Sequence, residues 1–229
     1  MATFGLVHGA WHGAWCWERL LPELNRRGHR AVAVELPSER AEAGAEAYVA
    51  AVLEALAGVE EPPVLVGHSM GGLTIAQVPA RRQVRSLVYL CGLVPRPGFS
   101  WREQAETALA PGFAAGAVVD ADRCQAWPSP EAAAAALFAD CDPETAAWAA
   151  ARVRRQCYGL MRDRFEGAPA VPAAYVVARR DEVVLPDYGR RAARELLGAE
   201  AVELDTGHTP YLTHPAELAE VLVRTAHKM

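Results

Sequence analysis

The chain has 229 residues, long enough for one domain to bury a large core without metal or disulfide support. It carries 23 Lys and Arg against 28 Asp and Glu, a formal net charge of −5, and it has no basic run. This balance excludes nucleic acid as an expected partner, and the lack of any run of ~18 apolar residues excludes a predicted membrane span.

The first predicted strand, residues 3–7, leads into a loop rich in glycine and tryptophan. Gly9 permits a tight turn, which leaves the Ala10 N–H free to point at a substrate. The tryptophans of this loop are expected to cap the sheet, and Trp11 is also a candidate for substrate contact. Both interpretations hold together, because the donor is backbone. The strand begins close to Met1, so the sequence predicts no signal peptide.

Strand and helix signals alternate along most of the chain. Helices are predicted at 13–27, 45–56, 73–80, 187–197 and 215–227, and further strands at 30–36, 64–66, 84–93, 173–181 and 201–205. This alternation is typical of a mostly parallel sheet flanked by helices, so the fold class is predicted to be α/β.

The most specific motif is a Gly-x-Ser-x-Gly turn formed by Gly67, Ser69 and Gly71. It follows an apolar strand and precedes a helix, which is the context of the nucleophile elbow in hydrolases. The helix directs its free N–H groups and its positive end at the turn. Ser69 is therefore the predicted nucleophile. The N–H of Met70, the next residue, is predicted to stabilise an oxyanion.

A long insertion, residues 96–169, separates two predicted strands of the sheet. Ser100, Ser129 and Asp142 each begin a helix signal of the N-cap type. The sequence thus predicts a small helical cap at 96–169 over a core formed by 1–95 and 170–229. Large apolar residues recur in the insertion, and they predict a largely apolar pocket in which Trp127 is a candidate substrate contact.

A serine nucleophile needs a base and an acid that orients the base. The strand at 173–181 ends in a carboxylate, and Asp181 is the predicted acid because it comes first after the strand. Glu182 and Asp187 remain alternatives. His208 follows the strand at 201–205 and is the predicted base. Hydrolases with a nucleophile elbow carry these residues in the chain order Ser, acid, His. His68, within the elbow, is predicted only to pack beside it.

The loop at 6–17, the elbow at 67–72 and the Gly-His-Thr-Pro-Tyr-Leu segment at 207–212 resemble one branch of the α/β-hydrolases. That branch includes plant hydroxynitrile lyases, plant methylesterases and bacterial esterase-like proteins. The segment at 138–144 resembles a cap motif of its bacterial members. The resemblance implies a triad of Ser69, Asp181 and His208, and an oxyanion hole formed by Ala10 and Met70.

Two departures from this branch bear on the reaction. Its hydroxynitrile lyases have a threonine after the first-strand histidine and a lysine after the catalytic histidine. This chain has Gly9 and Thr209 at those positions. The lysine helps to stabilise departing cyanide, so cyanohydrin cleavage is not expected here.

These observations predict a serine hydrolase that cleaves an ester, thioester or lactone of a small to medium hydrophobic molecule, without cofactor or metal. The alternative enzyme is a lyase or cyclase that uses the same site for acid and base chemistry. A further alternative is a small-molecule receptor on a hydrolase scaffold. No oligomeric state is predicted.

The cysteines concern the compartment. The chain has five, which is an odd number, and none is spaced as Cys-x-x-Cys. They predict free thiols in a reducing compartment rather than a disulfide or zinc framework, and therefore a cytoplasmic protein.

Overall fold

The computed structural model describes residues 1–229, apart from the side chains at positions 161 and 162. In chain order the strands are β1 (Thr3–Val7), β2 (Arg30–Val34), β3 (Val64–His68), β4 (Ser86–Leu90), β5 (Val118–Val119), β6 (Cys124–Ala126), β7 (Gln156–Cys157), β8 (Ala173–Ala178) and β9 (Val202–Leu204). Six of them form one sheet in the order β2-β1-β3-β4-β8-β9, in which every neighbouring pair is parallel. The predicted α/β class is confirmed.

Helices connect the strands. They are α1 (Leu20–Arg26), α2 (Ala45–Ala55), α3 (Gly71–Ile75), α4 (Trp101–Ala108), α5 (Pro130–Leu137), α6 (Pro143–Ala150), α7 (Pro186–Leu197), α8 (Pro210–Thr213) and α9 (Pro215–Lys228). Because parallel crossovers are right-handed, the strand order places α1 on the face opposite α2 and α3. Accordingly, α1 packs against α9, and α2 packs against α3. In the described part of the chain, no helix combines the length and apolar character needed to cross a membrane.

The centre of the sheet is buried on both faces. Every residue of β1, β3 and β4 is buried, whereas the edge strands β2 and β9 are partly exposed. Near-continuous apolar runs form such strands because helices cover both faces. The carboxyl ends of the parallel strands meet at one edge of the sheet, which is where an open α/β sheet binds its ligands.

The predicted helix at 13–27 differs from the structure. A 3-10 turn occupies Ala14–Trp17, and α1 follows it as a separate element. Tertiary packing overrides the helical pattern here. The Glu35 carboxylate accepts the Ala14 N–H at 3.0 Å, and the buried Trp17 ring lies 4.8 Å from the Tyr211 ring, centroid to centroid.

The 96–169 segment contains more than helices. The predicted N-caps are confirmed, since Ser100, Ser129 and Asp142 each accept a backbone N–H at the start of α4, α5 and α6. The segment also contains an antiparallel sheet in the order β5-β6-β7, which the sequence did not predict. Strands of two or three residues are too short to show a period-2 pattern in the sequence.

A disulfide joins Cys124 and Cys157, so the expectation of free thiols throughout is wrong. The two residues lie opposite each other on β6 and β7 but are 33 residues apart in the sequence. Their pairing depends on the register of the small sheet, which the sequence pattern does not reveal. Cys16, Cys91 and Cys141 are free. The reducing compartment inferred from the cysteines therefore loses its premise.

The cap of α6 gives a stability prediction. Asp142 accepts the Thr145 N–H at 2.9 Å and the Thr145 hydroxyl at 2.6 Å. We expect Asp142→Ala to lower the free energy of unfolding by about 1 kcal/mol, and Tm by roughly 2–4 °C. Thermal unfolding followed by circular dichroism measures both. Glu144→Ala in the same helical turn is the control, and equal Tm values for the two variants would contradict the capping role.

Candidate functional site

Ser69 lies at the sharp turn between β3 and α3. Its backbone φ is +52°, a left-handed conformation that a serine seldom adopts, and its N–H donates to Leu90 O at 3.1 Å. A Cβ at Gly71 would lie 2.6 Å from Val7 O, so only glycine allows α3 to begin this close to β1. The elbow therefore holds Ser69 in a strained conformation, as is common at functional sites.

Two backbone N–H groups next to Ser69 have no hydrogen-bond partner in the described part of the chain. They belong to Ala10, in the loop after β1, and to Met70. The Ala10 loop packs against Ser69, since a Cβ at Gly9 would lie only 2.8 Å from Ser69 Cβ. The two predicted oxyanion donors thus flank the serine on separate segments.

His12 stabilises the conformation of the Ala10 loop. Its Nδ1 lies 2.7 Å from the carbonyl oxygen of Ala10, which makes Nδ1 the protonated nitrogen. Burial lowers the pKa of His12 to about 3, so the ring is neutral near pH 7. His12 therefore holds the Ala10 carbonyl group as a neutral donor and adds no positive charge beside the site.

Asp181 and His208 form a buried pair. His208 Nδ1 lies 2.8 Å from Asp181 Oδ2, and their side chains are 5% and 1% exposed. The other carboxylate oxygen, Oδ1, accepts the N–H groups of Val183 at 2.8 Å and Val184 at 2.9 Å. Both oxygens of Asp181 are therefore hydrogen-bonded, which fixes the carboxylate toward the histidine.

The two alternative acids lie elsewhere. Glu182 is exposed to solvent, and Asp187, on the first turn of α7, is exposed and binds Arg190 at 2.8 Å. Of the three candidate carboxylates, the structure brings only Asp181 to His208.

His68 makes a contact that the sequence did not suggest. Its Nε2 lies 2.9 Å from the backbone carbonyl oxygen of His208, and the two rings are 4.5 Å apart, centroid to centroid. Burial lowers the pKa of His68 well below its usual value, so this ring is also neutral. No sequence signal identified the contact, because the residue before the serine in a Gly-x-Ser-x-Gly turn is variable and the partner is 140 residues away.

Cys91 is the third member of a buried group with metal-ligand side chains. Its Sγ, an Asp181 oxygen and a His208 nitrogen lie within 4.8 Å of one another. Burial raises the pKa of the Cys91 thiol well above its usual value, which disfavours the thiolate that a metal needs. Because Asp181 and His208 are already hydrogen-bonded to each other, the arrangement suits acid and base chemistry better than metal binding.

The candidate substrate contacts, Trp11 and Trp127, lie together beside Ala10. The Trp11 ring is 5.6 Å from the Trp127 ring and 5.8 Å from the Phe113 ring, centroid to centroid. Trp11 has a φ of +61°, and its carbonyl accepts the Arg154 N–H at 2.9 Å. Trp11 thus follows Ala10 directly and packs against two aromatic side chains of the 96–169 segment.

The loop that carries His208 is also bound to the 96–169 segment. Asp140 Oδ2 accepts the Gly207 N–H at 2.8 Å, and Cys141 Sγ lies 3.6 Å from Thr209 Oγ1. A cavity of about 210 Å³ borders His208 and is lined partly by Asp140. The residues that flank His208 in the sequence therefore both contact the insertion.

The sequence profile of the alpha/beta hydrolase family matches residues 6–221. The chain belongs to that family. Among solved structures, this alpha/beta hydrolase is similar to a pyrethroid hydrolase from Sphingobium faniae JZ-2, with a TM-score of 0.85 and 25% identity. The superposition covers 99% of this chain and 97% of that one.

Several curated relatives of the hydrolase are esterases. It is 28% identical to Methylesterase 3 of Arabidopsis thaliana, over 97% of this chain and 95% of the relative. It is 38% identical to a carbendazim hydrolyzing esterase of Nocardioides sp. (strain SG-4G), but that alignment spans 50% of this chain and about half, 52%, of the relative. The predicted resemblance to methylesterases and bacterial esterase-like proteins is confirmed, and these relatives support a carboxylic ester hydrolase.

Proposed function

We propose that this hydrolase cleaves an ester, thioester or lactone of a small to medium hydrophobic molecule through an acyl-enzyme on Ser69. The observation that carries the proposal is the buried Asp181–His208 hydrogen bond of 2.8 Å beside a serine in a nucleophile elbow. The unpartnered Ala10 and Met70 N–H groups supply the remaining requirement of acyl transfer, which is stabilisation of the oxyanion.

The roles follow from the hydrogen bonds. Because a carboxylate only accepts, His208 Nδ1 carries the proton shared with Asp181, and Nε2 is left as the base. Ser69 Oγ attacks the carbonyl carbon as Nε2 takes its proton, and Nε2 then protonates the leaving alkoxide. Water releases the acyl group by the same steps and yields the acid. Asp181 stabilises the imidazolium that forms in each half-reaction.

The substrate class rests on the surroundings of the oxyanion loop. Trp11, Phe113 and Trp127 present aromatic surface next to Ala10, which favours an apolar acyl or alcohol group. Three relatives are named for esters or related compounds: a methylesterase, a carbendazim esterase and a pyrethroid hydrolase. We propose that residues 96–169 act as a cap over a core of 1–95 and 170–229. We retain a cytoplasmic location as a proposal, which the cysteines no longer support because Cys124 and Cys157 form a disulfide.

A series of p-nitrophenyl esters of graded acyl length tests the function directly. We expect hydrolysis that depends on Ser69 and rises from acetate toward medium chains, because the aromatic side chains of Trp11, Phe113 and Trp127 lie next to Ala10. The Ser69→Ala protein, measured at the same concentration, provides the background. Turnover that is equal in both proteins across the whole series would refute the proposal.

Cyanohydrin cleavage is expected to be undetectable. Departing cyanide needs a cation beside the histidine, and Thr209 is buried and uncharged. Arg180, which lines the cavity at His208, is bound to Asp205 O at 2.7 Å. Cyanide assays with mandelonitrile and acetone cyanohydrin measure this. Release above background that disappears in His208→Ala would favour a lyase instead.

A further inference from the structure

The His68 side chain connects two segments that carry the reacting groups. His68 precedes Ser69 in the chain, and its Nε2 binds the backbone carbonyl of His208 at 2.9 Å. Among the described residues, this is the one hydrogen bond between the elbow at 67–72 and the loop at 205–210. In the described part of the chain, the Ser69 hydroxyl itself makes no hydrogen bond to the His208 ring.

The polarity of this bond is fixed by chemistry. A backbone carbonyl only accepts, so His68 Nε2 carries the proton and donates it. The other nitrogen, Nδ1, is buried without a hydrogen-bond partner. It faces the loop after β1, since a Cβ at Gly9 would lie 2.9 Å from it. Only the neutral tautomer that carries its proton on Nε2 can donate to the His208 carbonyl.

Aromatic neighbours restrict the ring to one orientation. Tyr211 lies edge-on at 4.9 Å, and Trp17 lies edge-on at 6.4 Å, measured between ring centroids. His12 contacts the ring at 5.7 Å. The packing of these rings and the hydrogen bond itself therefore both direct His68 Nε2 at the His208 carbonyl. A side chain held in this way can fix the distance between the two loops.

We propose that His68 is a positioning residue that sets the distance and angle between Ser69 and the imidazole of His208. The inference rests on the proposed function, because it concerns the proton transfer between these two side chains. Proton transfer demands near-attack geometry, and a misplacement of about 1 Å costs on the order of 10²-fold in rate. In the proposed function, the substrate binds at the aromatic side chains around Trp11. His68 is not one of these side chains, so its loss should not weaken binding.

A set of three variants separates the hydrogen bond from the bulk of the side chain. His68→Gln places an amide N–H at the position of Nε2 and retains the donor. His68→Asn carries the same amide one bond shorter, and His68→Phe keeps the ring without any donor. We expect kcat to fall by about 10–100-fold in the Asn and Phe variants with KM within about twofold of wild type, and the Gln variant to recover most of the loss.

Labelling of Ser69 by an uncharged phosphonate supplies a second readout, since it needs His208 as base but no turnover. Its rate is expected to fall in the Asn and Phe variants by the same factor as kcat, while Tm of the Asn and Gln variants stays equal. If Phe fails to fold, the Asn and Gln pair decides. Wild-type kcat and labelling in His68→Asn would overturn the proposal, as would equal losses in Asn and Gln. A wild-type protein without esterase activity would instead refute the proposed function.

Discussion

Ser69→Ala is expected to lower kcat for ester hydrolysis by ~10⁴-fold or more while the fold stays intact. In the proposed mechanism the hydroxyl of Ser69 forms the acyl-enzyme, and no other side chain at the elbow carries a hydroxyl. Removing the hydroxyl leaves the proposed oxyanion donors, Ala10 and Met70, which are expected to retain a small residual rate above that of water. Initial rates on p-nitrophenyl butyrate, with circular dichroism to verify folding, measure the effect.

Ser86→Ala is the matched control for the nucleophile. Ser86 is also buried, but it begins β4 and so lies at the opposite end of the strand from the elbow. We expect Ser86→Ala to keep wild-type kcat. A serine-directed phosphonate followed by mass spectrometry should label Ser69 and no other serine. A Ser69→Ala protein that retains most of its turnover would exclude the acyl-enzyme mechanism.

Asp181→Asn is expected to lower kcat by about 10³–10⁴-fold. The Val183 and Val184 N–H groups bind Oδ1, and in the variant they select the amide oxygen for that position. The amide NH₂ is then directed at His208 Nδ1, which must become an acceptor. Its proton moves to Nε2, and the base required by Ser69 is lost. Substrate binding is unaffected, so KM should change little.

The neighbouring carboxylates provide the controls for the acid. Glu182→Gln and Asp187→Asn should each change kcat by less than about twofold, because both side chains are exposed and the carboxylate hydrogen-bonded to His208 is that of Asp181. A pH profile of kcat/KM for wild type and Asp181→Asn adds a test of the tautomer. A large loss at Asp187 with a mild one at Asp181 would reverse the assignment.

The predicted site residues could be chosen from the sequence because their positions follow simple rules of the α/β fold. The triad candidates each come just after the carboxyl end of a strand. The glycines of the elbow occur where its backbone lies close to the backbone of neighbouring segments. The family assignment and the parallel sheet are confirmed. Whether Ser69, Asp181 and His208 perform the predicted roles stays a prediction that the variants above test.

Other features could not be predicted from the sequence because they depend on contacts between segments that are far apart in the chain. The His68–His208 hydrogen bond spans 140 residues, and the Cys124–Cys157 disulfide depends on the register of strands of two or three residues. The division of the predicted first helix had a similar cause, since Glu35 and Tyr211 fix the turn at 14–17. Local patterns do not encode these partners.

The contacts of Asp140 with Gly207 and of Cys141 with Thr209 have a consequence for protein engineering. A common route to new substrate range is to graft the insertion of one homologue onto the core of another. In this enzyme the grafted piece would also carry the residues that hold the loop of His208, the proposed base. Chimaeras that exchange residues 96–169 should therefore retain an aspartate that reaches the Gly207 N–H, or turnover will decline together with the change in selectivity.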